Sequence, residues 1–278
     1  MSLPAKLLVL VALFAIFVAP AEARWLGPED VVVTATSNGP IHPHRAALEA
    51  ARGAETDMAR RAIIATNLNR WRDLPAELGR RHLMVNVPAQ EVVLWENGVP
   101  VQRWRAIVGR PRTPTVSFST EVTGVNLNPW WYIPQSIVRE SVGRLVRTNP
   151  AEARRRGYVV SGGSYRQRPG PGNALGRMKL VMPNSHAIYL HDTPARHLFD
   201  ETERAFSHGC IRVQDAMGFA ARLAGMTRTE IEAMAADGRT QTVSLAEPVP
   251  VHITYFTAVP GEAGELSYLD DIYGRDRG

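Results

Sequence analysis

The segment Ser207-His208-Gly209-Cys210-Ile211-Arg212 gathers the groups best able to do chemistry, and Cys210 is the only cysteine among 278 residues. A thiol attacks as its thiolate, and a nearby histidine is the usual agent that removes the proton. His208 precedes the thiol by two residues, and His191 ends an expected strand that can lie beside it. Gly209 allows a close backbone turn, so that N–H groups around Cys210 can face a developing oxyanion. A helix opening just after Val213 would add a favourable dipole if its N-terminus points there. Arg212 carries a planar fork suited to gripping a carboxylate. These types in this order suit a cysteine acyl-transfer enzyme.

Two plainer readings compete. A lone cysteine is commonly an inert, buried hydrophobe, but a glycine directly before it and polar residues on both sides weigh against that. A zinc site from His191, His208 and Cys210, with His197 as a fourth ligand, lacks the paired close ligands such sites use. No metal and no cofactor is therefore expected.

The elements that must hold these residues follow from periodicity and turn signals. Strands are expected at His82 to Val87, Glu91 to Trp95 and Val101 to Val108, the last pair joined by the turn Glu96-Asn97-Gly98. Further short strands recur at Glu121 to Asn126, Tyr158 to Ser161, His186 to His191, Thr240 to Leu245 and Val251 to Phe256. This spacing predicts a mainly β fold, sandwich or barrel-like, with a few helices. One helix is expected over Gln214 to Ala224, ending at Gly225, and a capping box at Thr227 and Glu230 opens a second. Ile64, Leu68 and Trp71 follow helical spacing within the Ala- and Arg-rich stretch from Arg45 to Leu74, and Pro75 stops it. The Arg-, Gly- and Ser-rich segment 134–171 reads as an insertion able to cover a site.

Composition adds a compartment. Lys6, the 13-residue apolar run Leu7 to Ala19, and Ala21-Glu22-Ala23 read as a secretory signal peptide over residues 1–23. The run is short for a membrane span, so none is expected after cleavage, which removes Lys6 and Glu22 and leaves the net charge at +5. Such a charge suits an anionic wall or membrane surface, and secretion disfavours nucleic acid as a partner. The 32 basic residues are 30 Arg and two Lys, Lys6 and Lys179. A single cysteine excludes an internal disulfide and any iron–sulfur cluster.

The sequence resembles the L,D-transpeptidase family, with its YkuD-type catalytic domain. His191 is followed by 15 residues and then by Ser207-His208-Gly209-Cys210, a hydrophobic residue and Arg212. Met182-Pro183-Asn184, Tyr189 to Pro194, Asn128-Pro129-Trp130-Trp131 with Pro134, Asn173 to Gly176, and Asp271 to Gly274 resemble the branch of larger Gram-negative members. The resemblance spans roughly residues 64–278. It divides the chain into a signal peptide (1–23), a leader and helical extension (24–81) and the catalytic domain (82–278). Residues 24–81 are too few for the separate peptidoglycan-binding module common in that branch.

The resemblance implies action on peptidoglycan stem peptides in the periplasm. Cys210 would form a thioester at the third stem residue and release D-Ala. His191 would be the base, oriented by the Asp192 carbonyl, and the backbone at Gly209 and Cys210, with His208, would form the oxyanion hole. Arg212, Ser207, Asp192, Trp130 and Tyr132 are the expected substrate contacts. A second stem amine would resolve the thioester as a cross-link. The alternatives are water, a free D-amino acid or an envelope-protein amine as acceptor, and, in another class, a non-catalytic wall-binding scaffold.

Overall fold

The computed structural model describes residues 41–261 and 265–276. The expected signal peptide and most of the leader lie outside the described residues. Two helices come first, α1 (Pro43–Ala54) and α2 (Met58–Arg72). Glu55 breaks the Ala-rich stretch in extended conformation, and the Asp57 side chain caps α2 by accepting from the Arg60 N–H at 2.9 Å.

Strands β1 (Arg81–Asn86), β2 (Glu91–Glu96), β3 (Val99–Gly109) and β4 (Phe118–Leu127) follow. The insertion comes next: β5 (Trp131–Tyr132), α3 (Gln135–Ile137) running into a π-turn at Val138–Val142, α4 (Gly143–Thr148), α5 (Pro150–Arg155), β6 (Tyr158–Ser161) and β7 (Ser164–Gln167). The chain then returns to the main sheet with β8 (Met178–Val181), β9 (Leu190–His191), β10 (Ala205–Ser207) and β11 (Ile211–Val213). It closes with α6 (Ala216–Ala224), α7 (Arg228–Ala235), β12 (Gln241–Thr254) and the small hairpin β13 (Ala258–Pro260) with β14 (Leu266–Tyr268).

The principal sheet runs β10-β3-β11-β9-β8-β4-β12-β1-β2, and β2 also pairs with β3, so eight strands close into a ring. Closure leaves those strands without a free edge. The fold is thus mainly β and barrel-like. α6 fills the apolar side: Met217, Phe219, Ala220, Ala221 and Leu223 join Leu83, Val125, Leu180, Leu190, Ile211 and Ile253 in one core. A second core lies on the other face of β1 and β2, where Leu48, Ile64, Leu68 and Trp71 of α1 and α2 cover Met84, Val93 and Trp95. β1 and β2 are therefore buried on both faces, which explains why they read as continuous rather than alternating apolar runs. Asn67, fully buried, ties α2 to the strand ends through hydrogen bonds of 2.9 Å with both the N–H and the hydroxyl of Thr257. The insertion has a core of its own, Ile133, Val138 and Val142 with Trp131 and Tyr165 packed against it.

Three sequence expectations need correction. The strand expected over His186 to His191 is only Leu190–His191. The Asn184 side chain captures the backbone of residues 182, 186 and 188, and Ala187 takes a left-handed φ of 54°, so the chain turns there instead of extending. The two strands expected at 240–245 and 251–256 are one strand, β12, with a register shift between Ser244 and Val249. The helix after Val213 starts at Ala216, and its positive end is occupied by its own cap Asp215, whose side chain accepts from the Gly218 N–H.

Candidate active site

Three neighbouring strands put three charged or titratable side chains in one row. Lys179 of β8 faces His191 of β9, and His191 is in register with Arg212 of β11. Side chains at registered positions share a face of the sheet. The flanking residues Met178, Leu180, Leu190, Ile211 and Val213 point to the other face and are fully buried in the core. The alternation that builds the barrel core therefore also aligns the polar row.

His191 is buried, with 4% of its surface exposed. Its Nδ1 donates to the Asp192 carbonyl oxygen at 2.5 Å. A carbonyl only accepts, so Nδ1 carries the proton and Nε2 is left as the basic nitrogen. Burial, reinforced by the Arg212 cation, lowers the His191 pKa from 6.5 to about 3. The imidazole is thus neutral and ready to take a proton at neutral pH. Burial also pushes the Cys210 thiol up, against the opposing pull of the Tyr189 backbone and of the Arg212 and Lys179 cations. The resting thiol and the resting imidazole are thus both neutral. In this state the thiol donates to the Ala187 carbonyl at 3.7 Å.

The turn that carries the thiol is braced from below. Gly209 has φ +110°, a conformation that L side chains rarely adopt. The Ser207 hydroxyl accepts from the Gly209 N–H at 3.1 Å and donates to the Cys210 carbonyl at 2.5 Å. The Thr115 hydroxyl donates to the Gly209 carbonyl at 2.9 Å and accepts from the Gly109 N–H at 2.9 Å. The Tyr273 hydroxyl in turn donates to the Gly109 carbonyl at 2.5 Å. Thr115 is fully buried. Neither it nor Tyr273 was among the expected site residues; the clue to Tyr273 was the Asp271 to Gly274 motif, whereas Thr115 has only the turn signals of Gly109, Pro111 and Pro114.

Two expected substrate contacts are positioned otherwise. Ser207 is 1% exposed and braces the turn, and Asp192 is 3% exposed with its carboxylate accepting from the Arg177 N–H at 2.8 Å. The Asp192 carboxylate fits because Gly176 has no Cβ: one built there would lie 2.4 Å from the Asp192 Cγ, and φ is +63°. His208, expected at the oxyanion hole, has its Nε2 2.7 Å from Glu140 of the insertion, and the other Glu140 oxygen accepts from Arg110 at 2.8 Å. Arg212 makes no ion pair among the described residues, and its Nε is buried without a partner. Trp130 and Tyr132 line a groove of about 390 Å³ with Lys179 and Tyr189. Arg166 of the insertion lies over both aromatic rings, at 5.4 and 5.9 Å.

No group of three or more metal-ligating side chains occurs among the described residues. No helix among them is long and apolar enough to cross a membrane.

The family model of the L,D-transpeptidase catalytic domain, YkuD, matches residues 80–251, more than half of the chain. The chain belongs to the L,D-transpeptidase family. A Haemophilus influenzae protein assigned as an L,D-transpeptidase is 32% identical over 237 residues, which is 77% of this chain and 48% of that relative. The chain thus spans about half the length of the curated relative it matches. Among solved structures, L,D-transpeptidase 3 from Mycobacterium tuberculosis with a faropenem-derived adduct is 16% identical, with a TM-score of 0.35 over 63% of this chain and 60% of that one. An L,D-transpeptidase from Mycobacterium smegmatis is 12% identical, with a TM-score of 0.34 over 63% and 58%. In this L,D-transpeptidase domain, His191, Cys210 and the turn between them all fall inside the matched span.

Proposed function

We propose that the protein is a cysteine L,D-transpeptidase acting on peptidoglycan stem peptides in the periplasm. The observation that carries this reading is the strand register that sets a neutral, backbone-oriented His191 beside Arg212, two residues beyond the Cys210 thiol on the positive-φ Gly209 turn. In the first half-reaction, His191 Nε2 takes the Cys210 proton while the sulfur attacks the carbonyl carbon of the third stem residue. The backbone N–H of Cys210 is the donor available to the oxyanion, since the Gly209 N–H is held by the Ser207 hydroxyl. His191 then returns its proton to the departing amine, the C–N bond breaks, and D-Ala leaves behind a thioester. In the second, an amine of another stem attacks the thioester carbon and gives its proton to His191, the C–S bond breaks as the sulfur takes that proton back, and a cross-link between two third residues forms.

A neutral resting pair suits this order of events. Proton transfer accompanies attack, so no buried ion pair has to be sustained while the site is empty. The signal peptide expected over residues 1–23 and the net charge of +5 support an envelope location.

Muropeptide mass spectrometry after incubation with a purified disaccharide tetrapeptide tests the reading. Released D-Ala together with a cross-linked dimer is the expected product set. D-Ala with only a tripeptide points to water as acceptor. Exchange of the terminal residue points to a free D-amino acid, and an adduct on added envelope protein points to a protein amine. No release at all contradicts the enzyme reading and leaves the scaffold.

A further inference from the structure

Lys179 is the only lysine among the described residues, and the mechanism above makes no use of it. Its ammonium stands 4.3 Å from the centroid of the Tyr189 ring and has no carboxylate partner among the described residues. It opens on the groove walled by Trp130, Tyr132 and Tyr189. It is also the residue directly across from His191. A cation held against an aromatic face, at the rim of a groove and without an anion of its own, is arranged to receive one.

The identity of that anion follows from the reaction. The departing amine must lie within hydrogen-bond reach of His191, which protonates it. In an α-amino acid the carboxylate carbon is two bonds from the amine nitrogen, about 2.5 Å away. Facing residues on antiparallel strands have Cα atoms about 4.5–5.5 Å apart. A leaving residue whose amine is at His191 therefore has its carboxylate within range of the side chain on the adjacent strand. Neither Arg212, on the opposite side of His191, nor His191 and Cys210 themselves line the groove, so Lys179 is the member of the polar row that meets it.

We infer that Lys179 binds the terminal carboxylate of the residue that leaves, making this side chain the reader of a donor that ends one residue past the scissile bond. The inference rests on the transpeptidase reading. Burial that lowers the Lys179 pKa, opposed by the Cys210 thiolate, is consistent with a cation kept partly dry for an anionic ligand. A neutral or longer C-terminus removes that anion from Lys179, so such donors bind less well.

The test compares two disaccharide tetrapeptides, one with a free terminal carboxylate and one with a terminal amide, through kcat/KM for release of the fourth residue. The wild type is expected to prefer the acid by about tenfold or more, the effect of losing one charge-assisted hydrogen bond. Lys179→Met should bring the two donors to within about twofold by slowing the acid, and Lys179→Arg should restore the preference. The ratio is taken within each variant, so any change in thiol reactivity cancels. A third donor, amidated instead on the free side-chain carboxylate of its third residue, should show the same sensitivity to Lys179→Met as the unmodified donor. A wild type that does not distinguish acid from amide overturns the inference. So does a Met variant that keeps the wild-type ratio, or one whose only lost preference is for the third-residue carboxylate. A Met variant inert on both donors would assign Lys179 to the chemistry of the thiol and also overturn it. Wild-type silence on every donor refutes the transpeptidase reading itself, and the inference with it.

Discussion

Glu140 of the insertion and His208 of the nucleophile turn are joined by a contact of 2.7 Å, with Arg110 donating to the same carboxylate. The insertion is thereby fastened to the residue two positions before the thiol. Burial does not hold this link, since all three side chains are partly exposed. Exposed ion pairs contribute little to global stability. Glu140→Ala is therefore expected to leave the Tm within about 2 °C of wild type. Hydrogen exchange over residues 135–148 should nonetheless accelerate, and D-Ala release should fall by roughly threefold to tenfold. Unchanged exchange in that segment would show that the insertion is held by its own core alone.

Gly209 should be intolerant of a side chain. A Cβ there has room, its nearest neighbour being the Pro114 carbonyl oxygen at 3.6 Å, so the cost of Gly209→Ala is conformational. A residue forced to φ +110° costs on the order of 1–3 kcal/mol, and the relaxed turn would re-aim the Cys210 N–H proposed for the oxyanion. Activity is expected to drop by about a hundredfold or more while circular dichroism shows a folded protein. An active Gly209→Ala enzyme would mean that the turn does not set the oxyanion geometry.

The pH dependence follows from the two shifts at the site. The folded His191 pKa lies near 3, so the base stays unprotonated through the mildly acidic range. The thiol is raised, so the thiolate fraction at neutral pH is smaller than in a free cysteine. Alkylation of Cys210 by iodoacetamide should accordingly be slow at pH 7 and rise with pH without a plateau below pH 8. The kcat/KM profile should lack a falling limb near pH 6.5. A limb there would show that His191 titrates with an ordinary value and that the resting pair is not neutral.

Acid should loosen the N-terminal helices. His42 caps α1 and packs tilted against Trp71 and edge-on against Trp95, with His82 close by. Burial lowers the His42 pKa to about 3, and lowers those of His44 and His82 to about 4. Folded values below the unfolded 6.5 mean that the unfolded chain binds protons which the folded one excludes. Stability is then full above about pH 6.5 and is lost progressively as pH falls toward 4. A Tm lower by on the order of 5 °C at pH 5 than at pH 7.5 is expected, with a smaller drop in His42→Gln. An equal drop in that variant would place the acid sensitivity elsewhere.

The sequence made the nucleophile segment readable because its meaning is local: a histidine, a glycine and a thiol in consecutive positions. Most strands around it were legible for a similar reason, since period-2 patterning and turn residues are written along the chain. What stayed hidden is non-local. The row Lys179–His191–Arg212 exists only through strand register, and no pattern within β8 announces that its lysine faces the base. The family resemblance implied Ser207 and Asp192 as substrate contacts, yet both side chains are buried. Asn184 hid in the other direction. Its side-chain hydrogen bonds to the backbone around Ile188 shorten the strand to Leu190–His191, and nothing in the apolar pattern that follows announces them.

The most direct test of the account is the fate of the Cys210 sulfur during turnover. Intact-mass spectrometry of the enzyme mixed with disaccharide tetrapeptide and no added acceptor should show a covalent adduct of the donor less D-Ala, mapped to Cys210. Free D-Ala should appear in equal amount, and Cys210→Ala should yield neither. Release of D-Ala by the Cys210→Ala protein, or an adduct on any other residue, would contradict it.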